Sequence, residues 1–167
     1  MNRLNQYINE KLKISTNTKI RKYEYHPKDR EELDEIILSI IGKYWDNNPN
    51  AKTGFIDLNM IDVSEIVSMS SLFDNYKKLN FDVSKWDVSK VKYMDNMFAD
   101  CYEFNCDISD WNIDNVEFMN HMFLNCKNFN CNLSKWKIDG SKRITDMFSG
   151  CPIEKNPPEW YKKYNPF

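Results

Sequence analysis

The chain has 167 residues and a formal net charge of −2, with 41% hydrophobic, 14% aromatic and 29% charged residues. That length suits one or two small domains around one continuous core, and the generous aromatic content argues against disorder. The near-neutral balance excludes a global electrostatic pull toward nucleic acid, and no apolar run approaches membrane-spanning length.

Charge is uneven along the chain. Residues 1–31 carry eight Lys or Arg against four Asp or Glu, and the remainder carries 15 against 21. A basic lead-in ahead of an acidic body can guide docking, although solvation alone accounts for it as well. Residues 3–14 place Leu4, Ile8 and Leu12 at helical spacing with Tyr7 beside them, which predicts a short amphipathic helix. Met1 is followed by NRLNQYINEKLK, which lacks the apolar core of a secretion signal, so a cytoplasmic protein is expected. The first ten residues, MNRLNQYINE, resemble the capsid-targeting peptides of internal proteins in T-even-type phages. Those peptides are short and amphipathic, begin at Met1 and end in Ile/Leu-x-Glu, here Ile8-Asn9-Glu10. The resemblance implies cleavage by a prohead protease at Glu10, a location in the virion interior or host cytoplasm, and a phage-encoded protein that binds and inhibits a host factor. The bland alternative for the same residues is a capping or docking helix.

STNT at 15–18 breaks that helix, and residues 19–25 alternate imperfectly, which suggests a strand. A stronger helix opens at His26-Pro27. Pro27 suits a first turn, and Asp29, Glu31 and Glu32 favour the positive helix end. Leu33, Ile36, Ile37, Ile40, Ile41 and Tyr44 recur on one face. WDNNPNAKTG at 45–54 ends the helix as a loop. Residues 1–54 are therefore expected to form an N-terminal helical cap region.

Four copies of one 25-residue pattern follow without a gap over residues 57–153. Leu58, Val83, Ile108 and Leu133 share one position, Ile61, Trp86, Trp111 and Trp136 a second, and Phe73, Phe98, Phe123 and Phe148 a third. A fixed period of this size is the signature of stacked repeats, each burying its apolar face against its neighbours. Within a repeat, DVSKWDVSKV reads as extended, with Ser84, Trp86 and Val88 on one face and Lys85, Asp87 and Ser89 on the other. VKYMDNMFADC then places Val91, Met94, Met97, Phe98 and Cys101 at spacings that fit a short helix. Strand followed by helix predicts an α/β, leucine-rich-repeat-like solenoid over residues 55–153. Asn80, Asn105 and Asn130 form a column suited to an internal ladder. Pro152, Pro157 and Pro158 stop the pattern, and over residues 154–167 Trp160, Tyr161, Tyr164 and Phe167 offer aromatic cover for the last repeat.

The shared pattern D-[IV]-S-x-W-[DN]-[VI]-x-x-V-x-x-M-x-x-M-F-x-x-C-x-x-F-N resembles the BspA-type leucine-rich repeat family, known also from mycoplasma surface lipoproteins. That family is typically extracellular and implicated in adhesion, so the resemblance implies an adhesin-like surface-binding module without catalytic residues. The chain departs from it in lacking a secretion signal and in its dedicated N-terminal region.

No established catalytic motif occurs: there is no G-x-S-x-G, P-loop or H-E-x-x-H, and no cofactor is expected. His26 and His121 are the only histidines. Cys101, Cys126 and Cys151 share one column, Cys106 and Cys131 another. Disulfides between neighbouring columnar cysteines are geometrically open, but a reducing compartment and an odd count favour free buried thiols. The Cys-x4-Cys pairs superficially resemble zinc ligands, yet both fall at repeat-locked positions, so no metal is expected. The reading is a non-enzymatic protein-binding repeat module with no nucleic-acid or membrane partner. The expected binding face comprises the outward positions Lys85, Asp110 and Lys135 in one column and Asp87, Asn112 and Lys137 in the next. The open ends of the stack could also pair into an end-to-end homo-oligomer.

Overall fold

The structure, a computed structural model, describes residues 23–164. The helix expected over 3–14, the Glu10 cleavage site and Phe167 lie outside the described residues. Helix α1 spans Arg30–Asn47. Asp29 caps it, its carboxylate accepting from the Glu32 N–H at 2.9 Å, and Glu31 and Glu32 complement the positive end. Pro27 is buried just ahead of the helix rather than in its first turn. Leu33, Ile37 and Ile41 are buried in the common core, with Ile36, Ile40 and Tyr44 packed against it. The apolar face was therefore legible as a face, although Leu38 on the other side stands 55% exposed.

Strands β1 (Gly54–Asp57) and β2 (Leu79–Asp82) pair in parallel, 25 residues apart in register, from Gly54↔Leu79 to Asp57↔Asp82. Parallel bridges at the same offset join Ser68, Tyr93, Phe118 and Arg143 in one column. Tyr25 makes an isolated parallel bridge to Ile61, so the chain just ahead of α1 adds to the first copy, while residues 19–22 of the strand expected over 19–25 lie outside the described residues. Each 25-residue copy thus lies beside the next as a rung.

Inside a rung the expected strand-then-helix plan gives way to a chain of turns. An Asp or Asn two residues ahead closes a turn at each copy: the Asn59 amide donates to Asp57 at 2.8 Å, and the Ser84, Ser109 and Ser134 amides donate to Asp82, Asp107 and Asn132, each at 3.0 Å. These side chains compete with strand pairing for the local N–H, which is what Asp and Asn before a small residue do well. The second half is not helical because Ser71, Asn96, His121 and Asp146 are left-handed (φ 50 to 56°), as are Asn75, Asp100, Asn125 and Gly150 (φ 57 to 76°). An ordinary residue there costs about 1–2 kcal/mol, less for Asn and Asp, and nothing for Gly150.

That alternation aims backbone groups along the stack. The N–H groups of Met69, Ser71, Phe73 and Asn75 donate to the carbonyls of Tyr93, Asp95, Met97 and Ala99 on the next rung. The pattern recurs from Met94, Asn96, Phe98 and Asp100, and again from Met119, His121, Phe123 and Asn125. Every amide in this ladder points toward the C-terminal end and every carbonyl toward the N-terminal end. Its ends are capped by charges of the appropriate sign. The Arg30 guanidinium donates to the Ser70 carbonyl at 2.7 Å, and the Gly150 amide donates to the Glu154 carboxylate at 2.9 Å. Side chains add two further ladders. The Asn105 and Asn130 amides donate to Asn80 and Asn105 Oδ1, and those of Asn120 and Thr145 donate to Asp95 and Asn120 Oδ1.

Like residues pile into columns within the core. Phe73, Phe98, Phe123 and Phe148 stack with successive centroid separations of 5.3, 5.8 and 5.8 Å, and all are fully buried. The Nε1–H groups of Trp86, Trp111 and Trp136 each reach back to a carbonyl on the preceding rung: Leu58, Val83 and Ile108. A 3-10 turn (Pro152–Lys155) and helix α2 (Glu159–Tyr164) close the far end. Trp160 of α2 donates to the Leu133 carbonyl at 3.0 Å and stacks on Trp136, taking the place of the next rung's tryptophan.

Candidate partner-binding surface

The six residues expected to form the binding face are all exposed, but they stand on turns rather than on a strand. Inward and outward senses agree with the sequence reading, since Trp86 and Val88 are buried between exposed Lys85 and Asp87. The chemistry differs from a free recognition face. Asp87 and Asn112 accept the Ser89 and Asp114 amides, both at 3.0 Å, and so hold turns closed. Lys135 pairs with Asp110 on the preceding rung at 2.7 Å. Lys137 replaces the turn-closing residue in the fourth copy, where Asp139 closes a turn two residues later with the Ser141 amide. Other same-column pairs, Lys90–Glu65 at 2.6 Å and Lys92–Glu117 at 3.4 Å, follow the same opposite-charge rule. Such exposed pairs contribute about 0–1 kcal/mol each.

A second surface carries two of the exposed large apolar side chains, Val67 and Tyr93. Tyr93 and Phe118 occupy successive positions of the bridge column, their rings stacked at 5.5 Å, with Arg143 next in line. Tyr93 is 39% exposed and Val67, in the adjoining column, 47%. Lys92 and Glu117 flank the stripe. Lys142, next in their column, is turned to the carbonyls of Ile113, Asp114 and Val116 at 3.1, 2.9 and 2.7 Å. Sequence reasoning passed over Tyr93 and Phe118 because a helix was expected there. The available signal was their column, Ser68, Tyr93, Phe118 and Arg143, whose residue types vary as no core column does.

Carboxylates in the turns set an acid limit. Burial raises the Asp82 carboxyl, but hydrogen bonds from the Asn59 side chain, from Ser84 and from Cys106 outweigh it and hold the group below its usual 3.8. Asp62 is likewise held low, Ser64 and His26 outweighing burial. A carboxyl lowered in the folded state adds stability that is present above the unfolded value and lost as pH falls through the folded one. Urea midpoints should therefore be flat above about pH 5 and fall below about pH 4. Asp82→Asn, which keeps the turn acceptor as Asn132 does in the fourth copy, should flatten that acid limb; an unchanged limb would contradict the assignment.

All five cysteines are free. Cys101 and Cys126 donate to the Phe73 and Phe98 carbonyls at 2.7 and 2.9 Å, and Cys151 donates to Phe123. Burial pushes the Cys101 thiol up to about 12 and the Cys106 and Cys131 thiols up to about 11, and raises Cys126 strongly as well. At neutral pH such groups are about 0.01% thiolate or less. Ellman's reagent should thus label these four slowly in native protein, burial should shield Cys151 as well, and all five should react only in denaturant; rapid loss of a full equivalent from native protein would refute this. Among the described residues, no three His, Cys, Asp or Glu side chains are grouped to hold a metal ion, and no helix is long and apolar enough to cross a membrane.

Fold and surface together define a repeat protein whose copies stack in register. Residues 45–160 match the family described as Mycoplasma protein of unknown function, DUF285. The chain belongs to that family, the match spanning more than half its length. Comparison with curated proteins and with solved structures returned no match.

Proposed function

We propose that this chain is a non-enzymatic protein-binding module, a small BspA-type, leucine-rich-repeat-like solenoid that engages its partner through Val67, Tyr93, Phe118 and Arg143. The Tyr93–Phe118 stack, exposed at Tyr93 and half-buried at Phe118, is the observation that carries the reading. Aromatic and arginine side chains supply large contact area at low entropy cost and are enriched where binding energy concentrates. They stand on a hydrogen-bonded ladder, so little ordering is needed on binding. The turn face with Lys85, Asp110, Lys135 and Lys137 is the alternative surface, but its Asp87 and Asn112 are engaged in turns and its Lys135 in an ion pair.

The test is affinity capture with three proteins: the unmodified chain, Tyr93→Ala/Phe118→Ala, and Lys85→Glu/Lys135→Glu/Lys137→Glu. Loss of the captured protein with the aromatic variant alone supports the stripe. Loss with the lysine variant alone moves the interface to the turn face, and no partner for the unmodified chain removes the binding reading. The opening decapeptide favours a phage-encoded version of this function. It predicts a chain starting at Lys11 in purified virions, and a full-length, virion-free protein would end that version.

A further inference from the structure

A groove of ≈ 580 Å³ runs beside β1, on columns separate from the aromatic stripe. Thr53, Phe55, Asn80, Glu103, Asn105 and Asn128 line it. Phe55 is the most exposed large apolar residue described, at 60%, and β1–β2 register sets it directly beside Asn80. Asn105 follows one rung further in the same column. The same groove is therefore built from one aromatic platform and amides repeated at about 4.8 Å, the spacing of paired strands.

The hydrogen-bonding capacity left over in the groove selects a ligand. Asn80 Oδ1 accepts the Asn105 amide and Asn105 Oδ1 accepts the Asn130 amide. Those bonds fix both carboxamides in place, and neither Nδ2 group donates to any described residue. Asn128 Nδ2 donates to Glu103 Oε2 at 3.1 Å, which leaves Glu103 Oε1 and Asn128 Oδ1 as acceptors. Pre-positioned donors thus alternate with acceptors beside an open ring face. No Lys or Arg lines the groove and a carboxylate does, which disfavours phosphates, nucleic acids and acidic peptides. The mostly polar walls disfavour lipid. A sugar hydroxyl both donates and accepts, and the C–H face of a pyranose packs on an aromatic ring.

We propose that this groove is a binding site for a neutral oligosaccharide, its chain lying along the stack with one ring on Phe55 and hydroxyls on Asn80, Asn105 and Glu103. The site is independent of the protein-binding surface. The test is a titration of the full-length, isotope-labelled protein with cellotetraose, maltotetraose and chitotetraose, followed by amide NMR. At least one should shift the side-chain amide signals of Asn80 and Asn105 saturably. Phe55→Ala, at a solvent-exposed position, should weaken that binding about tenfold. Tyr93→Ala should leave it unchanged, which separates this site from the stripe. Absence of any saturable shift with all three sugars overturns the proposal. So does an affinity that Phe55→Ala does not change, or one that Tyr93→Ala reduces equally.

Discussion

Phe123→Ala should lose about 3–5 kcal/mol in urea unfolding, a large share of the 5–15 kcal/mol that holds a typical domain together. The ring is fully buried at the centre of the aromatic column. It lies 5.8 Å from Phe98, 5.8 Å from Phe148 and 4.1 Å from Phe129, centroid to centroid. Truncation removes contacts on both faces of the ring. The void cannot close easily, because the amides of Met119, His121, Phe123 and Asn125 hold the third rung to the fourth at fixed spacing. Phe118→Ala, removing a ring of equal size from the surface stripe, is the control and should cost about 1 kcal/mol or less. Equal losses for the two substitutions would mean that the column is not the core.

Trp160→Ala should cost about 2–3 kcal/mol, less than a fully buried tryptophan because this one is only half-buried. Its expected signature is spatial as well as energetic. Rungs in a stack are stabilised mainly by nearest neighbours, so an uncapped end frays first. Trp160 covers Trp136 and approaches Phe148, with ring centroids 6.5 and 6.0 Å away. Hydrogen exchange should therefore accelerate at Trp136, Ser149 and Cys151, whose amides are bonded within the last rung, while Met94 and Phe98 stay protected. Uniform acceleration along the chain would show that α2 is not an end cap.

The columns were legible from the sequence because burial imposes the same requirement at each period. Tryptophan, phenylalanine, cysteine and asparagine recur wherever one rung touches the next, and α1 declared itself by its apolar face. Rung conformation was hidden by an ambiguity of spacing. Val91, Met94, Met97, Phe98 and Cys101 fit a helix, but consecutive three-residue turns bury the same positions. The discriminating signal lies between them, in Asn96 and Asp100 and their equivalents, residue types that tolerate left-handed backbone. The surface was harder to read. Asp87 and Asn112 look free in the sequence, and only geometry shows them closing turns. Trp160 was foreseeable as aromatic cover but not as a stand-in for the next tryptophan, since it follows Trp136 by 24 residues rather than the 25 of the repeat.

The central claim is that the four copies nest in identical register, and excising one copy tests it most directly. Removal of residues 104–128, one full period, joins equivalent positions and should leave a shorter protein with the same circular dichroism signature and a cooperative unfolding transition. Removal of 104–127 shifts every later column by one place and should leave a chain that does not fold. Equal behaviour of the two excisions would contradict the account.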